Sequence, residues 1–142
     1  FLTPNPDMTL TVPAATENVI TFGGYDNVTN AFYPKSGRGF TRENRIKPDM
    51  TAPAVNVYGP GISGGYTRRT GTSVACALGA GACAQILQWG IVEDNEPYMK
   101  NNYIKNYLIR GAERNRDIRY PSEQWGYGTI NVFDSFLILT RT

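Results

Sequence analysis

Thr70-Gly71-Thr72-Ser73-Val74-Ala75 opens onto a largely apolar run, residues 76–89, and this stretch decides how the chain reads. It sets one hydroxyl, that of Ser73, behind a glycine at the head of a long helix. The unpaired N–H groups of a first helical turn and the helix dipole favour negative charge there. A serine so placed suits nucleophilic attack, and its own backbone N–H suits a developing oxyanion. Yet the chain contains no histidine, the side chain that most often takes a serine's proton. Ser or Thr at a helix start is more commonly a simple cap. The pattern also departs from the esterase elbow Gly-x-Ser-x-Gly, because Ala75 occupies the second glycine position. On this run alone, nucleophile and cap both stay open.

The surroundings predict an α/β domain. Residues 1–17 read as loop, and residues 18–23 as a strand ended by Gly23-Gly24. A tight turn is expected at Ser36-Gly37-Arg38-Gly39, a second strand at residues 54–58, and a glycine-rich approach at 62–70. The helix spans about 72–89. With only Gln85 and Gln88 strongly polar between Val74 and Trp89, it should be buried on most sides. A second helix is expected from about Pro97, capped by Asn95, with a stripe of Tyr103, Tyr107 and Leu108 and a stop at Gly111. A third covers 132–139, with Asn131 and Asp134 in a capping arrangement. Alternating strands and helices suggest a largely parallel sheet. The confident strands are too few to complete one, so part of the sheet is expected elsewhere in a longer chain. That reading agrees with a chain that opens at Phe1 with neither Met nor a signal pattern.

Composition excludes several classes. With 14 basic and 12 acidic residues, net charge +2, there is no nucleic-acid footprint. Arg68-Arg69 and the group Arg110, Arg114, Arg116, Arg119 read as solvated faces. No apolar run is expected to approach the length of a membrane span. Cys76 and Cys83 stand seven residues apart, a rise of about 10.5 Å on a helix. A disulfide needs Cα atoms within about 7 Å, so they read as two free, small, buried side chains. No acidic cluster argues for a calcium or other metal site in this segment, and no cofactor is expected here.

Lys47-Pro48-Asp49-Met50-Thr51-Ala52-Pro53, followed by Gly71-Thr72-Ser73-Val74-Ala75, resembles the C-terminal part of the subtilisin-like serine protease family. Val19-Ile20-Thr21-Phe22-Gly23 upstream and Trp125-Gly126-Tyr127-Gly128-Thr129-Ile130-Asn131-Val132 near the end match in the same order. Ser36-Gly37-Arg38-Gly39-Phe40-Thr41-Arg42, Leu87-Gln88-Trp89-Gly90-Ile91 and Tyr120-Pro121 look most like its clostridial branch. The resemblance implies that residues 1–142 are the C-terminal part of a peptidase domain with a three-layer subtilisin-like fold and a mainly parallel sheet. It implies Ser73 as the nucleophile and the Ser73 backbone N–H as one oxyanion donor. The family's Asp, His and side-chain oxyanion Asn precede the nucleophile in sequence, so a late segment lacks histidine. It further implies a serine endopeptidase acting on polypeptides, secreted or spore-associated, with calcium compatible only elsewhere in the full-length protein. A half domain is expected to associate with its missing N-terminal part or with itself. A catalytically inactive pseudoprotease with a regulatory or binding role, and a non-enzymatic module in which Ser73 only caps, are the other readings. Ala77 and Leu78 stand where the family usually has Pro and a structural His, Ala54 where it has Gly, and Thr70 where it tends to have Asn. Val12-Pro13 matches a family position that carries a cis peptide bond near the substrate cleft.

Overall fold

A computed structural model describes residues 3–141; Phe1, Leu2 and Thr142, the outermost residues of the expected domain, lie outside the described residues. Strand β1 (Phe22–Asp26) pairs in parallel with β3 (Met50–Pro53) and antiparallel with the short β2 (Ala31–Phe32), giving the order β2-β1-β3. Strands β4 (Val57–Pro60) and β5 (Tyr66–Arg69) form a separate antiparallel hairpin. Helix α1 (Thr72–Leu87) packs on β1 and β3 and continues into a π-helical turn, Gln88–Val92. Helices α2 (Asn101–Gly111) and α3 (Val132–Leu139) pack against each other. Met50, Ile86, Ile104, Leu108 and Leu139 bring β3 and all three helices into one core.

The α/β class stands, with differences in detail that have local causes. The sheet of the described residues is mixed, because β2 adds an antiparallel edge to the parallel β1–β3 pair. The first strand does not stop at Gly23-Gly24 but runs through it. Glycine is required there by packing: a Cβ on Gly24 would lie 2.6 Å from Ala54 Cβ. Of the expected strand 54–58 only Val57 and Tyr58 are strand, the start of β4; β3 ends before it at Pro53, and residues 54–56 bend away where Asn56 adopts a left-handed φ of 51°. The stretch read as a glycine-rich approach contains β5, whose Tyr66 stacks on Tyr58 at 5.2 Å in the diagonal relation of an antiparallel pair. The turn expected at residues 36–39 falls at Pro34-Lys35 instead. Residues 37–39 have no turn or regular structure, and Gly39 N–H donates to Glu123 O at 2.8 Å.

Helix α2 starts at Asn101, after Lys100, and has no side-chain cap. Asn95 instead closes the π-helical turn, its Nδ2 donating to Trp89 O at 2.8 Å. The buried Met99 packs over Gly90 before the new helix can begin. The buried stripe is Ile104, Leu108 and Gly111, while Tyr103 is exposed. Gly111 is the last residue of α2, and glycine is required there because a Cβ would sit 2.4 Å from Ser135 Oγ and 2.5 Å from Ser135 N. At α3, Asn131 Oδ1 accepts from Asp134 N–H at 3.0 Å, as the capping pattern predicts. The Val12–Pro13 bond is cis, as expected.

Helix α1 corrects three expectations. Only one stripe of it, Ala75, Gly79, Ala82 and Ile86, is buried, while Cys76, Ala77, Leu78, Ala80 and Ala84 are exposed. Close approach explains the stripe: a Cβ on Gly79 would fall 2.2 Å from the Phe22 ring. Thr72–Val92, 21 residues, is also long and apolar enough by composition to cross a membrane. Its buried stripe is nonetheless seated on the sheet. The two cysteines are free, but Cys76 is exposed and only Cys83 is half-buried.

Asp49 is completely buried, and its Oδ2 accepts from Thr21 N–H at 2.7 Å and from Lys47 Nζ at 2.7 Å. Lys47, 1% exposed, also donates to Val19 O at 2.6 Å. Lys105 of α2 pairs with Oδ1 at 2.5 Å, in a geometry too oblique to count as a hydrogen bond. Asp49→Asn removes the counter-charge of a buried ammonium, and breaking such a pair costs about 3–5 kcal/mol. We expect that loss in urea unfolding; a change under about 1 kcal/mol would mean the pair behaves as an exposed one. Burial, and secondarily the charge of Cys76, raise the Cys83 thiol pKa. Its thiolate is therefore scarcer at neutral pH. Cys76→Ala removes the second cause, so the pH midpoint of Cys83 alkylation by iodoacetamide should move down; an upward shift would contradict this.

Candidate functional site

Ser73 is exposed at the second helical position of α1, after Thr72. The N-cap residue is Gly71, with φ 152° and ψ 159° and no side-chain cap bond. That φ favours glycine, which is the backbone reason the run carries Gly two residues before Ser73. The capping position thus falls on Gly71, leaving the Ser73 hydroxyl outside that role. The Ser73 amide stands in the first turn, where N–H groups have no i−4 carbonyl to pair with, and the helix dipole is directed at the same spot.

The turn is fastened from below. Gly71 N–H donates to Ala54 O at 2.8 Å, and Val74 N–H to Gly71 O at 3.0 Å. Thr70 Oγ1 accepts from Asn56 N–H at 2.9 Å, and Arg68 Nη1 donates to Asn56 O at 3.2 Å. A Cβ on Gly24 would touch both Ala54 and, at 3.5 Å, Thr72 Cγ2. β1, the end of β3 and the turn before α1 are therefore stacked directly. Residues 50–92 contain no acidic residue and carry charge only at Arg68 and Arg69, both exposed.

Beside this turn lies an open cavity of about 460 Å³, with Thr72 in its wall. Thr9, Thr11 and Ala14 line it from the N-terminal segment, and Lys35 and Arg38 from the segment after β2. Thr9 ties the two walls: its Oγ1 accepts from Arg38 N–H at 3.0 Å, and its N–H donates to Arg38 O at 2.9 Å. In sequence, residues 1–17 read as loop, with only Val12-Pro13 tied to a substrate cleft by resemblance, so nothing local marks Thr9 and Thr11 as wall residues. The one signal was the proline at position 13, in the segment that supplies the cavity wall.

Residues 3–128 match the family model for the subtilase family. The chain is similar to the CspB protease of Clostridium perfringens, with a TM-score of 0.92 and 37% identity over 99% of this chain and 30% of that one. This agrees with the clostridial character of the sequence motifs. It is 30% identical over 138 residues to the membrane-bound transcription factor site-1 protease of Mus musculus, covering 93% of this chain and 12% of that protein. It is 28% identical over 151 aligned positions to the serine protease AprX of Bacillus subtilis strain 168, covering 92% of this chain and 32% of that protein. The chain thus spans at most about a third of the length of these relatives. A family match over nearly the whole chain, on a fold that sets Gly71-Thr72-Ser73 at a helix head, establishes that the chain belongs to the subtilase family.

Proposed function

We propose that this chain is the nucleophile-bearing C-terminal part of a subtilisin-like serine endopeptidase domain. The observation that carries the reading is Ser73: exposed at the head of α1, freed from capping by Gly71, and adjacent to a cavity walled by Thr72. Ser73 Oγ attacks the carbonyl carbon of a peptide bond, and its proton passes to a histidine supplied from outside these residues. The Ser73 N–H and the helix dipole stabilise the tetrahedral oxyanion. The C–N bond then breaks, the amine leaves with the proton, and water hydrolyses the ester on Ser73. The cavity beside Thr72 receives part of the polypeptide substrate.

The chain alone holds no histidine, and loss of a single side-chain oxyanion donor costs about 10²–10³ in rate in subtilisin. The isolated 142 residues are therefore expected to hydrolyse peptides negligibly. The exposed apolar positions of α1, with Leu78 41% exposed, support packing against the preceding part of the same domain, or self-association when that part is missing. A secreted or spore-associated setting is supported by the clostridial character of the motifs. In the alternative, a pseudoprotease, the same fold binds or regulates without turnover, and the changes at Ala77 and Leu78 after the nucleophile favour it.

A fluorophosphonate probe applied to the full-length protein decides between them. Covalent labelling that disappears in Ser73→Ala is the expected result. No labelling of folded full-length protein would overturn the peptidase reading in favour of the pseudoprotease.

A further inference from the structure

On the opposite face of β1 from the Ser73 turn, the structure carries a second cavity. Side chains alternate along a strand, so Gly24 faces Ala54 and Thr72 while the next residue, Tyr25, faces away. Tyr25, Tyr120 and Trp125 line this cavity of about 200 Å³, together with Glu113, Asn30 and Asn115. Its size suits one long side chain rather than a drug-sized molecule. The aromatic wall is a built cluster. Trp125, 8% exposed, packs against Tyr25 at 5.8 Å and Phe32 at 5.9 Å between ring centroids. Tyr120 is fixed in turn, its hydroxyl accepting from Asn115 N–H at 3.2 Å.

Glu113 gives the cavity its sign. Its backbone is pinned on both sides of Thr129, donating and accepting at 2.9 Å, which holds the residue at the rim. Its carboxylate has no ion-pair partner among the described residues. The neighbouring Arg114 is turned away, donating to Ile109 O at 2.7 Å, and neither Arg116 nor Arg119 lines the cavity. The Tyr25 hydroxyl pKa is raised, first by burial and then by the charge of Glu113.

We propose that the Tyr25–Glu113–Trp125 cavity binds an alkyl guanidinium, the side chain of an arginine presented by a polypeptide. A guanidinium pairs with a carboxylate through parallel N–H···O bonds and spreads its plane over aromatic rings. The Asn30 and Asn115 amides supply acceptors for its remaining N–H groups. The same aromatic cluster already holds one guanidinium, with Arg38 Cζ 5.3 Å from the centroid of Phe32. The site is separate from Ser73 and does not rest on the proposed peptidase activity.

The test uses the full-length protein as Ser73→Ala, labelled with fluorotryptophan, with the Trp125 fluorine resonance assigned through Trp125→Phe. Nα-acetyl-L-arginine amide should shift that resonance saturably, whereas uncharged Nα-acetyl-L-norleucine amide should not. Glu113→Gln should weaken arginine binding at least several-fold without disturbing the other fluorine resonances, and Glu113→Asp, which keeps the charge, should weaken it less. An absent shift, an equal shift with the norleucine derivative, or unchanged affinity in Glu113→Gln would overturn the proposal.

Discussion

The carboxylate of Asp49 is the point on which the rest of this structure depends. It receives the N–H of Thr21 just before β1, the ammonium of Lys47 and the charge of Lys105 on α2. The main chain of the same residue donates to Thr21 O and accepts from Tyr127 N–H, each at 2.9 Å. One buried residue thus joins the two parallel strands, a helix and the Trp-Gly-Tyr-Gly segment. A buried charge is costly unless its partners are fixed, so this arrangement tolerates little displacement of any of them. Gly126 shows how tightly it closes: its φ is 56°, and a Cβ there would lie 2.2 Å from Pro48 O. The motif Lys-Pro-Asp and the motif Trp-Gly-Tyr-Gly are two sides of one contact.

That anchoring reaches Ser73 through short steps. Asp49 sets the start of β3, and β3 runs in register with β1, Met50 opposite Phe22 and Ala52 opposite Gly24. Ala54, directly after β3, accepts from Gly71 N–H and fills the space that Gly24 leaves. Gly71 then fixes the start of α1, and with it the place of Ser73. Each step is a backbone hydrogen bond or a contact with no room for an extra methyl group. Such contacts fix the backbone at the head of α1 and with it the position of the Ser73 side chain.

What the sequence disclosed follows from where its signals are local. The long helix, the Asn131–Asp134 cap and the Ser73 position were legible because capping, glycine placement and apolar run length act within a few residues. Strand bounds were not. Gly23 and Gly24 look like breakers, yet packing against Ala54 and Thr51 requires them inside β1. The β4–β5 hairpin was hidden because Gly59, Pro60 and Gly61 dominate its local signal, while the stacking of Tyr58 on Tyr66 depends on pairing across the turn. Asn95 next to Pro97 imitates a helix start, but the tertiary contact of Met99 with Gly90 delays the helix to Asn101. At the site, Ser73 could be singled out from its neighbours in sequence. The cavity wall from Thr9 and Arg38 could not, since those residues meet only through the fold.

The partial burial of α1 joins these observations. Its sequence carries the apolarity of a helix covered on most sides, but only the stripe through Ala75, Gly79, Ala82 and Ile86 is seated. Small residues on that stripe bring the helix axis close to β1, where the Phe22 ring occupies the place of a Gly79 side chain. The outer positions, Ala77, Leu78, Ala80 and Ala84, are equally apolar and find no cover among the described residues. A soluble surface helix would place polar groups there. The contacts of the described residues account for one face of α1. The contacts that position Ser73 run through Asp49, Ala54 and Gly71, all within this segment. The place of its hydroxyl is therefore set by backbone bonds and close packing.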